Sequence, residues 1–245
     1  MTAPSVILRF ADAREAADLA AFLARLIHYD RAAAVRVQVF GDALAVFGRP
    51  PSFEVLAIRT ARLAEPGDLD LTVSAGRLAD AIDTAGTEAA GGLAVTVPET
   101  VTGPPWAGVL PPRGGWRRMP GLPPLAEIRA AVSAAVAEFR ARDEAMPAER
   151  RTRAERERIG REIWSRTLGE TGLPLRVAHA AQALGFLRPL PVAVTTGAGA
   201  ADTGAGGPEP LALLAAGAWL RLRTPYGSVA VRTTNGLQGL PLTPA

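Results

Sequence analysis

Apolar positions recur at a spacing of two over Val35, Val37 and Val39, with Arg36 and Gln38 between them. They recur near 3.6 over Leu19, Phe22, Leu23, Leu26 and Ile27. The first spacing predicts a strand with one buried face, the second a helix with one apolar stripe. Ahead of that helix, Ser5 to Phe10 reads as a strand, and Asp12 with Glu15 three residues later has the form of a capping box. Asp12, Arg14, Glu15, Asp18 and Arg25 fall off the stripe, so the helix is expected to lay one face on a sheet. Gly41 and Asp42, followed by Leu44, Val46 and Phe47, predict a hairpin turn. Phe53 to Leu63 predicts a further extended run, ended by Pro66, Gly67 and Asp68, and Leu69, Leu71 and Val73 a further strand. Ser74 then caps a short helix carrying Leu78, Ala81 and Ile82, and Leu93 to Val97 returns to strand after Gly91 and Gly92.

Between Pro104 and Pro124 the chain is rich in Pro and Gly yet holds Trp106, Trp116, Val109, Leu110 and Leu122. Large aromatics gain most by burial, which predicts an ordered connector whose indoles cover an edge of the core; a proline-rich ligand for a partner domain is the alternative. Leu125, Ile128, Val132, Val136 and Phe139 mark a helix, and a second helix follows Pro147. In that second helix Glu149 to Arg158 has no large apolar residue, whereas Ile159, Ile163, Trp164 and Leu168 follow, so it is expected to project before it docks. A third helix from about Pro174 turns Val177, Ala181 and Leu184 inward and ends at Gly185. Thr195 to Gly207 predicts a mobile loop, Leu220 to Val231 a final hairpin turning at Thr224 to Gly227, and the segment after Gly236 a loosely held tail. Together these elements predict an α+β fold: a mostly antiparallel sheet with two packed helices, then a helical module and a C-terminal β-hairpin. The expected segments are 1–124, 125–187 and 188–245, the last packing back on the first.

Composition narrows the chemistry. Apolar residues are 48% and charged residues 21%, enough for a packed core. All 27 basic side chains are arginine, and there is no cysteine. A Walker A loop, a Schiff base, a kinase-type Lys–Glu pair, a thiol nucleophile and Cys-ligated metals are therefore excluded. Met1 to Phe10 has no basic segment leading a long apolar run, and Pro210 to Leu220 is far shorter than the roughly 20 residues a membrane helix needs. A cytoplasmic protein without membrane contact is expected.

The net charge of +3 is concentrated in one place, because Arg140 to Arg166 carries nine arginines and six acids while the rest is balanced. Arg150, Arg151, Arg153, Arg156, Arg158 and Arg161 are the candidate contact residues. Glu149–Arg153, Glu157–Arg161 and Glu162–Arg166 stand at i, i+4, with Arg151–Glu155 and Arg158–Glu162 in the reverse order. Such interruption by acids favours a helix that contacts a protein partner or a second copy; phosphate contact with a nucleic acid is the alternative. A helix-turn-helix reading of Arg176 to Phe186, with the hairpin arginines Arg221, Arg223 and Arg232 as a wing, is broken by Arg188-Pro189-Leu190-Pro191. Gly197, Gly199 and Asp202 give only a partial dinucleotide-binding pattern. His28 ends the first helix, His179 is assigned with Arg176 and Gln182 to the polar side of the third, and no catalytic set, cofactor or metal ligand group is read from the chain.

The order strand, helix, hairpin, strand, then strand, helix, strand across residues 5–110 resembles the doubled β-α-β-β-β unit of sliding-clamp domains. The run DLDLTVSAGRLADAID, Asp68 to Asp83, is similar to the strand-to-helix crossing of the second unit. The resemblance implies a sheet that the terminal hairpin completes, with the helices inserted between. It does not imply the clamp's DNA contact, since Asp12, Glu15, Asp18, Asp80 and Asp83 make both helices acidic where clamp helices are basic. In composition the chain resembles proteins of high-GC actinobacteria.

Overall fold

The computed structural model describes residues 6–51, 53–85, 92–189 and 211–233. Its strands are β1 (Ile7–Phe10), β2 (Ala34–Gly48), β3 (Leu56–Ser74), β4 (Leu93–Thr96), β5 (Arg117–Met119), β6 (Ala212–Ala216), β7 (Trp219–Thr224) and β8 (Gly227–Arg232). Its α-helices are α1 (Ala13–Tyr29), α2 (Ala75–Thr84), α3 (Leu125–Ala145), α4 (Arg153–Trp164) and α5 (Leu175–Ala183). The fold is α+β, with one antiparallel sheet in the order β4-β1-β3-β8-β7-β6-β5 and β2 paired to β3.

The two turns expected at Gly41-Asp42 and Pro66-Gly67-Asp68 are not chain reversals. Residues Ala34 to Gly41 pair with Gly67 to Ser74, and Ala43 to Gly48 pair with Ala57 to Arg62. The register shifts between Gly41 and Ala43, so the two groups of turn-forming residues face each other across one ribbon and together make its irregular corner. Gly41 has φ +60, where a bulge asks for glycine. Local composition marks a break in pairing there without telling a reversal from a bulge. The real reversal lies between β2 and β3, through Phe53.

Asp12 caps α1 by accepting from Arg14 N at 2.8 Å, and Ser74 caps α2 by accepting from Arg77 N. Glu15 does not close the capping box; its carboxylate accepts from the backbone N–H of Arg62 on β3, tying the helix to the sheet. The expected stripe of α1 is buried at Leu19, Phe22, Leu23 and Leu26. In α3 Ile128 and Val132 are buried, with Leu125, Val136 and Phe139 partly so.

One apolar core runs through all of this, from Phe10, Leu19 and Val35 to Ile128, Ile163, Val177 and Val229. The terminal hairpin joins the first sheet directly, Leu56, Ala57 and Ile58 of β3 pairing with Ala230, Val229 and Ser228 of β8. On the outer face Trp106 and Leu110 of the connector pack with Trp219 over Phe47, Ile58 and Ala230. Trp116 donates from Nε1 to Pro112 O, and the Arg221 guanidinium stands 5.6 Å over its ring. The connector also supplies β5, and Pro210 to Leu220, weighed above as a membrane segment, contributes β6. Among the described residues no helix is long and apolar enough to cross a membrane. The partial dinucleotide pattern at Gly197, Gly199 and Asp202, the loop around it and the tail after Gly236 lie outside the described residues.

Phe186, just after α5, stacks on Phe22 of α1 with ring centroids 5.7 Å apart, and its ring also lies against Gly227 at the hairpin turn. Gly227 has φ +147, and a Cβ there would sit 2.6 Å from Phe186 Cζ. Gly227→Ala is therefore expected to cost more than about 2 kcal/mol, from overpacking and an unfavourable φ together. Urea unfolding checks this through a lowered midpoint at unchanged m-value.

Candidate functional site

The second helix of the arginine-rich segment starts later than the sequence pattern predicts. Residues Ala148–Arg150 form a 3-10 turn, and α4 begins at Arg153 behind Thr152, whose hydroxyl accepts from Glu155 N. Glu149 and Arg151 thus lie outside the helix, which removes the geometry for the Glu149–Arg153 and Arg151–Glu155 pairs. Arg151 instead donates to the carbonyls of Glu144 and Met146, at 3.0 Å each, and closes the end of α3. Arg153 bonds Glu157 at 2.7 Å, which takes the acid expected for Arg161.

Nor does α4 stand away from the body. Arg156 reaches Asp143 on α3 at 2.7 Å, Arg142 of α3 reaches Glu162 at 2.7 Å, and Arg166 grips Glu138 through two bonds of 2.6 and 2.8 Å. Arg158 adds Glu155 at 2.9 Å and the expected Glu162 at 3.9 Å, and Glu162–Arg166 closes at 3.5 Å. The expectation of a projecting helix is corrected by these pairs, which join α3 to α4 and its C-terminal end and so lie beyond the reach of a spacing rule for one helix. Hydrogen bonding to Arg166 holds the Glu138 carboxyl below its ordinary range, and Arg142 does the same for Glu162. The same bonds raise Arg166, while Asp143 raises Arg156 and Glu157 raises Arg153. Of the six candidate arginines, Arg151, Arg153, Arg156 and Arg158 are thereby engaged within the protein; Arg150 and Arg161 have no such partner among the described residues.

Arg161 faces a cleft of about 640 Å³ lined by Phe53, Glu54, Phe139, Gly160, Trp164, Arg176 and His179, with Arg153, Arg156, Glu157 and Ser165 at its side. Four elements meet here: the β2–β3 reversal, α3, α4 and α5. The His179 ring stacks on Trp164 with centroids 4.1 Å apart and an interplanar angle of 18°, and meets Phe53 edge-on at 5.0 Å. It therefore does not lie on a polar helix face, because α4 and the reversal loop cover that side of α5. Burial pushes the His179 pKa below its ordinary value. Among the described residues no carboxylate is hydrogen-bonded to His179, and no three His, Asp or Glu side chains gather where they would hold a metal.

Two further features belong to this cleft. Arg176 buries its Nε without a hydrogen-bond partner. Glu54, on the rim, has φ +52, a region that non-glycine residues seldom occupy. Sequence reasoning placed Phe139 and Trp164 in the core and missed Phe53, Glu54 and Arg176 as site residues. The available signal was Gly160, a glycine inside a charged helix, where it costs about 1 kcal/mol relative to Ala.

The fold and cleft define an α+β protein with an aromatic, arginine-lined recess and no described metal centre. The chain belongs to the family described as Domain of unknown function (DUF8185), which matches residues 111–236. Residues 3–108 match a second family, Domain of unknown function (DUF8010). No curated protein and no solved structure matches the chain. The cleft draws Phe53 and Glu54 from the first matched stretch and its helical residues from the second.

A His whose pKa is lowered on folding takes up protons more readily when unfolded, so its contribution is present above 6.5 and lost as pH falls from there to the folded value. For Glu138 and Glu162 the loss begins lower, as pH falls from about 4.5 through their folded values. The thermal unfolding midpoint is expected to fall in two stages on acidification. His179→Gln should flatten the upper stage and leave the lower one.

Proposed function

We propose that this is a non-catalytic binding or adaptor protein that receives a protein partner, or a second copy of itself, at the cleft beside α4. The observation that carries this reading is a pair of guanidiniums at an aromatic wall, Arg161 of α4 and Arg176 of α5, without acidic partners among the described residues, while the other cations of α4 are paired internally. Arginine forks and large aromatics are the side chains that contribute most at protein interfaces, and recesses between structural units are where partners commonly bind. The paired cations at the side of the cleft, Arg153 and Arg156, would then set orientation more than affinity. A photo-crosslinking amino acid at position 161 should give a discrete protein adduct in cells making the full chain. The same group at Arg129, exposed on α3, should not; identical patterns or no adduct from either position would sink the reading.

Nucleic-acid contact is the second reading, and one observation favours it. Arg118, Leu214 and Arg221 stand in one cross-strand row on the outer sheet face, with Trp116 beside Arg221. Phosphate contacts would give affinity that falls linearly with the logarithm of salt concentration. Titration with duplex and single-stranded DNA at low and moderate salt, beside an Arg150→Glu, Arg151→Glu, Arg153→Glu variant, separates the readings. The partner reading expects no salt-sensitive binding. A steep salt slope lost in the variant would transfer the function to nucleic-acid recognition through α4; a slope kept in the variant would place the contact on the sheet face.

A further inference from the structure

The cleft holds more hydrogen-bond donors than free acceptors. Among the described residues the Arg161 guanidinium, the Arg176 Nε and the Trp164 Nε1 have no acceptor. Glu157 is taken by Arg153 and Asp143 by Arg156, leaving Glu54 on the rim as the one carboxylate of the lining without a bond. Setting Arg153, Arg156, Arg161 and Arg176 against Glu54, Glu157 and Asp143 leaves an excess of one positive charge. A single carboxylate balances that excess, whereas a doubly charged phosphate would overshoot it beside Glu54.

The floor of the cleft is shaped for a flat group. Gly160 leaves a bare Cα between two rings: a Cβ there would lie 3.6 Å from Phe139 Cε2 and 3.6 Å from Trp164 Cδ1. Any longer side chain at this position would fill the recess. At about 640 Å³ the space falls within the range of roughly 300 to 1,000 Å³ typical of small-molecule sites.

We infer that the cleft binds a flat apolar ring joined to one carboxylate, the ring over Gly160 against Phe139 and Trp164 and the carboxylate on Arg161 and Arg176. Planar guanidiniums match a carboxylate through paired N–H bonds, and the partial burial of Arg176 beside the aromatic wall strengthens the bonds it makes. This deepens the reading of the cleft as the binding site and rests on it. The group has two sources, a free aromatic acid or the C-terminal residue of a polypeptide ending in an aromatic side chain.

The test uses the full chain, following indole N–H resonances by NMR, with Trp164 assigned through Trp164→Phe. Indole-3-acetate, indole-3-acetamide and acetate are titrated separately. The acid is expected to shift the Trp164 resonance saturably, with the amide and acetate each about tenfold weaker, a difference of about 1.4 kcal/mol. Arg161→Gln with Arg176→Gln should bring the acid down to the level of the amide and leave the amide unchanged. Gly160→Leu should abolish both while the resonances of Trp106, Trp116 and Trp219 stay in place. Absence of a Trp164 shift, or equal binding of acid and amide, overturns the inference. Alanyl-alanyl-tryptophan with a free C-terminus, compared with its C-terminal amide, separates the sources: tighter binding of the free peptide than of indole-3-acetate assigns a polypeptide end, and the reverse assigns a free acid. A specific crosslink from position 161 without any Trp164 shift would refute the ligand chemistry and leave the partner reading standing.

Discussion

β3 carries hydrogen bonds along both of its edges, and the rest of the molecule is arranged around that fact. On one edge it holds β2 over nearly the whole length of the ribbon; on the other it meets β1 at Leu63 and β8 at Leu56 to Ile58. The last of these pairings joins two strands about 170 positions apart in sequence, and the apolar core closes beneath it. Where β3 is paired on both edges, at Leu56 to Ile58 and at Leu63, its backbone polar groups are satisfied inside the sheet. The helices between β5 and β6 are thereby brought against the inner side of a sheet whose strands come from both ends of the chain.

That arrangement also makes the cleft. Phe53 sits at the reversal between β2 and β3, and the pairing of β3 with β8 brings this reversal to α4 and α5. His179 then stacks between elements distant in sequence, which explains its burial without a carboxylate partner. The ion pairs between α3 and α4 act in the same direction. They spend most of the charge of the arginine-rich segment inside the protein and fix the side of α4 that meets the cleft, although pairs this exposed contribute little stability one by one. On the cleft wall, Arg161 of α4 and Arg176 of α5 stay outside that network among the described residues.

The two matched families meet within the connector, between residues 108 and 111, yet the core does not divide there. Trp106 lies on one side of that boundary and Trp116 on the other, both against the outer sheet face. The connector is thus part of the fold, consistent with the burial argument for its indoles. Because the two matched stretches share a core, the walls of the recess are held by one packed unit.

Local pattern alone determined most elements of this protein. The stripe of α1, the caps at Asp12 and Ser74, the α3 stripe, the Gly185 terminus and the final hairpin follow from spacing and turn chemistry within a few residues. The missing lysine and cysteine likewise limit the chemistry through composition alone. Tertiary structure decided the remainder, for reasons that local sequence does not carry. Gly41-Asp42 and Pro66-Gly67-Asp68 became one ribbon corner because they face each other in a register set at long range. Glu15 left its capping box because Arg62 offered a backbone N–H from the sheet. Arg142, Arg156 and Arg166 found their acids across a helix pair, and the recess at Gly160 exists only because Phe53, Phe139, Trp164 and His179 converge from four elements. A spacing rule sees neighbours three or four residues apart; a site built from four elements is decided by how they pack.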